Sequence, residues 1–227
     1  MEDEQKRLRL GFRGPSSFLI SYAVHLSRGS LVLPLMGEVQ VGELIRLELD
    51  LPNDETISDD ARVLSVNADE TPASLSVEIA LGPKLSDITD TLVTQYAHEG
   101  TRLRVLVVAP DRHTRQNLKR SVRSTVASAQ VGFAQSAERA APLLGDVPDL
   151  AVIDLGDELE QTQTLWSICQ SANPPLPSLL IAENQPMADE LKRYGAWDVL
   201  VAPPSSAEFR RSVLRALARP VVLEDDL

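Results

Sequence analysis

Cysteine is nearly absent from this chain of 227 residues: Cys169 is the only one. No disulfide can therefore close within the chain. Cys169 stands among Leu165, Trp166 and Ile168 in an apparent amphipathic helix, where a small buried hydrophobe is expected rather than a reactive thiol. Aromatics are also scarce, at 4%, so the cores must be built from Leu, Val, Ile and Ala. No stretch reaches the roughly 18 consecutive apolar residues that a membrane span needs. The acidic start Met1-Glu2-Asp3-Glu4 lacks the apolar centre of a signal peptide, which makes the cytoplasm the expected location. Positive charge is in deficit. The net charge is −11, which disfavours nucleic acid and anionic lipid as partners. His25, His98 and His113 have no metal-ligand spacing, and neither a Gly-rich phosphate loop nor a Gly-x-Ser-x-Gly elbow occurs. No enzyme is expected, and no cofactor.

What is present reads as two domains. Short alternating segments fill the first hundred residues: Leu8–Phe12, Phe18–Val24, Ser30–Leu33, Leu44–Leu49, Ala61–Val66 and Ala73–Ile79. Gly14-Pro15, Pro52-Asn53-Asp54 and Asn67-Ala68-Asp69 punctuate them. Such spacing predicts a small antiparallel barrel or sandwich. A helix should follow, capped by Ser86, carrying Ile88, Leu92 and Tyr96, and stopped by Gly100. The rhythm then changes. Five apolar strands alternate with five helical patterns, the last opened by the capping box Ser205-x-x-Glu208. That order predicts a parallel sheet covered on both faces. The domains are expected at 1–99 and 100–227, with the acidic tail Leu223–Leu227 frayed at the end of the second.

Three motifs in the second half are Val107-Val108-Ala109-Pro110-Asp111, Pro148-Asp149-Leu150-Ala151-Val152-Ile153-Asp154 and Gly195-Ala196-Trp197-Asp198-Val199-Leu200-Val201-Ala202-Pro203. They resemble the receiver domain of response regulators over about residues 102–219. The resemblance implies a flavodoxin-like (βα)5 fold. In an active receiver an acidic pair after the first strand holds Mg²⁺ together with an acceptor Asp that ends the third. A Thr or Ser ending the fourth strand and a Lys after the fifth contact the phosphoryl group. Carried onto this chain, Asp154 takes the acceptor position. Ala109 and Pro110 replace the acidic pair, with Asp111 beside them; Ala182 replaces the Thr or Ser, and Ala202 the Lys. Phosphorylation of Asp154 is therefore expected to be slow and poorly stabilised. The family pattern also makes Ala202–Pro203 a cis bond. The face that contacts partners in receivers would here carry Lys192, Arg193, Tyr194, Trp197, Arg210 and Arg211. Tyr, Trp and Arg are typical interface anchors. Burial in the core is the other reading of Trp197.

In the first half, Phe18–Leu33 resembles the second-strand signature of PilZ domains, in a form closest to a myxobacterial-type subgroup. Val41–Leu47, Leu51-Pro52 and Ala61-Arg62-Val63 fit that family's barrel. Members that bind cyclic di-GMP use Arg-x-x-x-Arg ahead of the barrel and Asp/Asn-x-Ser-x-x-Gly after it. Here the second motif reads His25-Leu26-Ser27-Arg28-Gly29-Ser30, so His25 and Ser30 stand where an acid or amide and a Gly are needed. Neutral imidazole cannot copy a bidentate carboxylate. Arg9 and Arg13 spell the first motif but fall against the first strand. The expectation is thus a non-catalytic bacterial signalling adaptor with protein partners, in motility or polarity control, with a homodimer left open. The alternatives are a cyclic di-GMP receptor, or a Mg²⁺-dependent phospho-acceptor at Asp154.

Overall fold

A computed structural model describes residues 6–35, 39–67, 75–82, 88, 93, 102–144, 148–196 and 198–226. The chain divides into two compact units, Met1–Thr101 with Ala218–Leu227, and Arg102–Leu217.

Among the described residues the first unit holds a six-stranded sheet and the helix α1 (Pro15–Val24). Its strands are β1 (Arg7–Gly11), β2 (Ser30–Leu35), β3 (Leu44–Asp50), β4 (Thr56–Asn67), β5 (Leu75–Ala80) and β11 (Val221–Asp226). They lie in the order β11-β1-β3-β4-β5-β2. β1 runs parallel to β3, and the other four pairings are antiparallel. Alternation in β3 buries Ile45, Leu47 and Leu49 against Leu8, Leu10, Phe18 and Leu31. A register shift in β4 between Val63 and Ser65 leaves Leu64 exposed.

Three expectations for this unit need correction. Phe18–Val24 is not a strand: helix α1 spans Pro15–Val24, so the unit is not all-β. All seven residues but Ser21 are apolar, and such a run fits either period. Its N-terminal signals decide. Pro15 brings its fixed φ to the first helical turn, and the Ser17 hydroxyl accepts from the Gly14 N–H (3.3 Å) and donates to the Gly14 carbonyl (3.0 Å). Second, the sheet does not close into a barrel among the described residues, because β11 and β2 are its two edges. Third, the acidic C-terminus is not a frayed tail of the second unit. It is β11, antiparallel to β1 with Leu10 opposite Val222. The helix expected near Ser86–Gly100 lies outside the described residues except for Ile88 and Val93, both helical.

The second unit holds β6 (Arg104–Val108), β7 (Gln130–Ala134), β8 (Leu150–Ile153), β9 (Ser178–Ala182) and β10 (Asp198–Val201). Its sheet is all parallel, in the order β10-β9-β8-β6-β7, the flavodoxin-like order. β8 and β9 are buried along their whole length, as two-sided cover requires. The helices are α2 (Arg112–Thr125), α3 (Ala137–Leu144), α4 (Leu159–Ser171), α5 (Gln185–Arg193) and α6 (Ser206–Ala218). Helices α3, α4 and α5 bury Ala140, Leu144, Leu165, Cys169, Met187 and Leu191 against Leu106 and Val108, on one face of the sheet. Val105 and Val107 point to the opposite face, where α2 packs Leu118 and Val122, and α6 packs Phe209 and Val213. The predicted capping box on α6 forms: Ser205 Oγ accepts from the Glu208 N–H (3.2 Å), and Glu208 Oε2 accepts from the Ser205 N–H (3.0 Å).

Candidate functional site

In the second unit the residues singled out from the sequence gather at the carboxyl ends of the strands, where open α/β sheets bind ligands. The sheet order sets the end of β8 between those of β6 and β9. Asp154 follows β8 directly, and its N–H donates to the Val108 carbonyl at 2.8 Å. Ala109 follows β6, its N–H on the Ala134 carbonyl (3.1 Å). Ala182 ends β9 and accepts from the Ala202 N–H at 2.8 Å. Ala202–Pro203 is cis, as the resemblance implied.

The Asp154 carboxyl is half-buried, with one weak donor, the Gly156 N–H at 3.4 Å. Burial outweighs that bond and pushes its pKa above the ordinary carboxylate value. Gly156 takes φ 65°, which allows the chain to double back under the carboxyl. Asp111 does something else. It is the N-cap of α2, with Oδ2 accepting from the Thr114 N–H (2.6 Å) and the Thr114 hydroxyl (3.1 Å). The Thr114 N–H is the main reason its carboxyl lies below the usual range.

Arg115 was not singled out from the sequence. Its Nη1 donates to the carbonyls of Ala109 (2.6 Å) and Pro110 (2.7 Å). A cation thus closes over the loop where a receiver would hold a divalent metal. Helical side chains lean toward the N-terminus, so a long residue in the first turn reaches back over the preceding loop. An Arg at that position was the available signal. The donor set does not fit Mg²⁺. Ala109 and Pro110 offer no carboxylate, Asp111 is committed to its cap, and two nearby carbonyls face a guanidinium. No cluster of three His, Cys, Asp or Glu residues suited to a metal occurs among the described residues.

The nucleotide motif of the first unit is not assembled. Arg13 precedes α1 and His25 caps its other end, so ten helical residues, or about 15 Å of rise, separate them. Arg9 lies in β1 and grips Asp50 of β3, with Nε at 3.1 Å and Nη2 at 3.0 Å from Oδ2. Ser27 is exposed in a short 3-10 turn (Leu26–Arg28), and Ser30 opens β2. The left-handed residue here is Gly29, φ 69°, one place before the Gly of the motif.

Of the interface candidates, Tyr194 is 50% exposed and packs edge-on to Trp166, with ring centroids 5.3 Å apart. Both Arg210 and Arg211 are exposed on α6. Trp197 lies outside the described residues. Tyr194, Ile168 and Ala172 border a groove of about 770 Å³ against α3, and Ile168 is itself exposed. Cys169 is buried, as expected.

No protein-family model and no curated protein matches the chain. Receiver domains are among the solved structures similar to it. The signal receiver domain of NarL from Mycobacterium tuberculosis is 21% identical, with a TM-score of 0.45, and covers 52% of this chain and 98% of its own. Chemotaxis response regulator CheY4 of Vibrio cholerae is 18% identical, with a TM-score of 0.41, and covers 51% and 99%. A response regulator CheY-like protein from Mesorhizobium loti is 18% identical, with a TM-score of 0.38, over 51% and 99%.

Proposed function

We propose that this chain is a non-catalytic signalling adaptor, a receiver-type scaffold that works by binding protein rather than by accepting phosphate. One observation carries the reading. At the ends of β6, β8, β9 and β10 the side chains are Ala109, Asp154, Ala182 and Ala202, and the Arg115 guanidinium is bonded across the first loop. A phosphoryl group on Asp154 would bring close to two negative charges to a place without a metal ligand set or a Lys. The groove beside Ile168 and Tyr194 supports a protein-binding role, since it pairs apolar surface with an aromatic anchor. A role in bacterial motility or polarity, in the cytoplasm, is carried by fold analogy.

Beryllofluoride with Mg²⁺, followed by amide NMR, tests this. The amides of Asp154, Leu155 and Gly156 are expected to stay in place. Saturable shifts there would establish a phospho-accepting regulator instead. Calorimetry with cyclic di-GMP tests the first unit, where no heat of binding is expected because Asp50 occupies Arg9. Micromolar binding lost on Ser27→Ala would make the chain a nucleotide receptor.

A further inference from the structure

One face of the second unit is basic in a chain that is acidic overall. Helix α2 reads Arg-His-Thr-Arg-Gln-Asn-Leu-Lys-Arg-Ser-Val-Arg-Ser-Thr, five cations and no acid in fourteen residues. Its apolar pair Leu118 and Val122 is buried, which turns Arg112, Arg120 and Arg123 outward, all exposed. Helix α6 covers the same face of the sheet and adds the exposed Arg210 and Arg211. Among the described residues no ion pair engages Arg112, Arg120, Arg123 or Arg210, whereas Arg211 lies near Glu208 and helps hold that carboxyl below its ordinary range. The other cations of the two helices are occupied. Arg115 is on its carbonyls, Lys119 lies over the Phe133 ring at 5.6 Å, and Arg215 holds Asp198. A hollow of about 390 Å³ opens on α2 between Arg112, His113, Gln116 and Arg120, with Asp111 at its rim.

The first unit carries the complement. Residues 48–60 contain Glu48, Asp50, Asp54, Glu55, Asp59 and Asp60, with no Lys or Arg; Asp50 and Asp60 are already paired with Arg9 and Arg46, and the exposed Asp54 and Glu55 stand at the turn. They form the end of the β3–β4 hairpin. At its tip, Asn53, Asp54 and Glu55 are exposed, and Asp54 is held at φ 64°. The exposed guanidinium groups along α2 repel one another, and an anionic partner relieves that cost. A nucleic acid or a lipid surface extends beyond the patch onto a chain of net charge −11. A hairpin tip is compact enough to meet the patch alone.

We propose that copies of this chain associate head to tail, the acidic tip of the β3–β4 hairpin of one copy seating on the basic α2–α6 face of the next. The inference is independent of the emptied phosphorylation site. Such a contact is heterologous, so the second copy keeps a free face and can add a third. Because the contact is electrostatic, it weakens with salt, whose screening length is about 10 Å at 0.1 M.

Sedimentation velocity of the full chain tests this. At about 50 mM salt the wild type is expected to grow beyond a monomer as concentration rises, and to revert at about 500 mM. Two variants then separate the faces: Arg120→Gln with Arg123→Gln, and Asp54→Asn with Glu55→Gln. Either alone should associate at least tenfold more weakly. Mixed, each supplies the face the other lacks, and a dimer that grows no further should appear. A wild type that stays monomeric at low salt, association unchanged in either variant, or a mixture that fails to dimerise would each overturn the proposal. Preferential binding of a DNA duplex over self-association would overturn it too, by giving the basic face a different occupant.

Discussion

The carboxyl of Asp154 is the group most changed by its surroundings. Burial raises its pKa in the folded chain above the ordinary carboxylate value, so the native state binds protons more readily than the unfolded chain. Native stability then declines as pH rises from that value through the folded pKa. Asp154→Asn is therefore expected to raise the midpoint of urea unfolding at pH 7. The gain should vanish well below the ordinary carboxylate range, at about pH 2.5, where the wild-type carboxyl is protonated in both states. An unchanged midpoint at pH 7 would mean that the carboxylate is neutralised by a cation. A second carboxyl is buried with a cation beside it. Asp198 is 1% exposed, and its Oδ1 accepts from Arg215 Nε at 2.8 Å. Removing that donor weakens the hold on a buried charge, although Arg215 is itself 46% exposed, which discounts the pair. Arg215→Ala should cost about 2 kcal/mol, measured by denaturant unfolding.

Among the elements, β11 has the largest consequence. It returns the chain to the first unit and covers the edge of β1. The fit is close: a Cβ at Gly11 would stand 3.0 Å from Leu223 Cδ1. Ending the chain at Pro220 uncovers that edge and removes the packing of Val222 on the core. The first unit should then melt at least about 5 °C lower, by differential scanning calorimetry. An unchanged transition would show that β11 adds nothing to stability. Helix α1 illustrates how termini outrank periodicity. Its apolar run is ambiguous, and Gly14, Pro15 and Ser17 settle it.

At the scale of the whole molecule, the two units have separate cores, one centred on Leu8, Ile45 and Leu47, the other on Val108, Ile153 and Leu180. Both tryptophans, Trp166 and Trp197, belong to the second. Tryptophan fluorescence therefore reports on the second unit alone, while far-ultraviolet circular dichroism reports on both. For the chain ending at Pro220, the fluorescence midpoint in urea should match that of the full chain while the dichroism midpoint falls. Parallel shifts in both signals would show that the units unfold together.

The parallel sheet of the second unit was legible in the sequence because its evidence is local. Continuous apolar strands, alternation with helices and the Ser205–Glu208 box all act within a few residues. The alanines at the strand ends were legible too, since Ala109, Ala182 and Ala202 are read directly from the sequence. Arg115 was harder, because its two carbonyl partners are set by the path of the loop. What sequence alone could not decide depended on distant pairing. An acidic run such as Glu224-Asp225-Asp226 reads as solvated tail until β1 offers it an open edge. Arg9 reads as a strand residue with a solvated head, and only the fold brings Asp50 beside it from forty-one residues away. Composition and period fix what a segment can become; which edge or charge it meets is settled only when the chain folds back on itself.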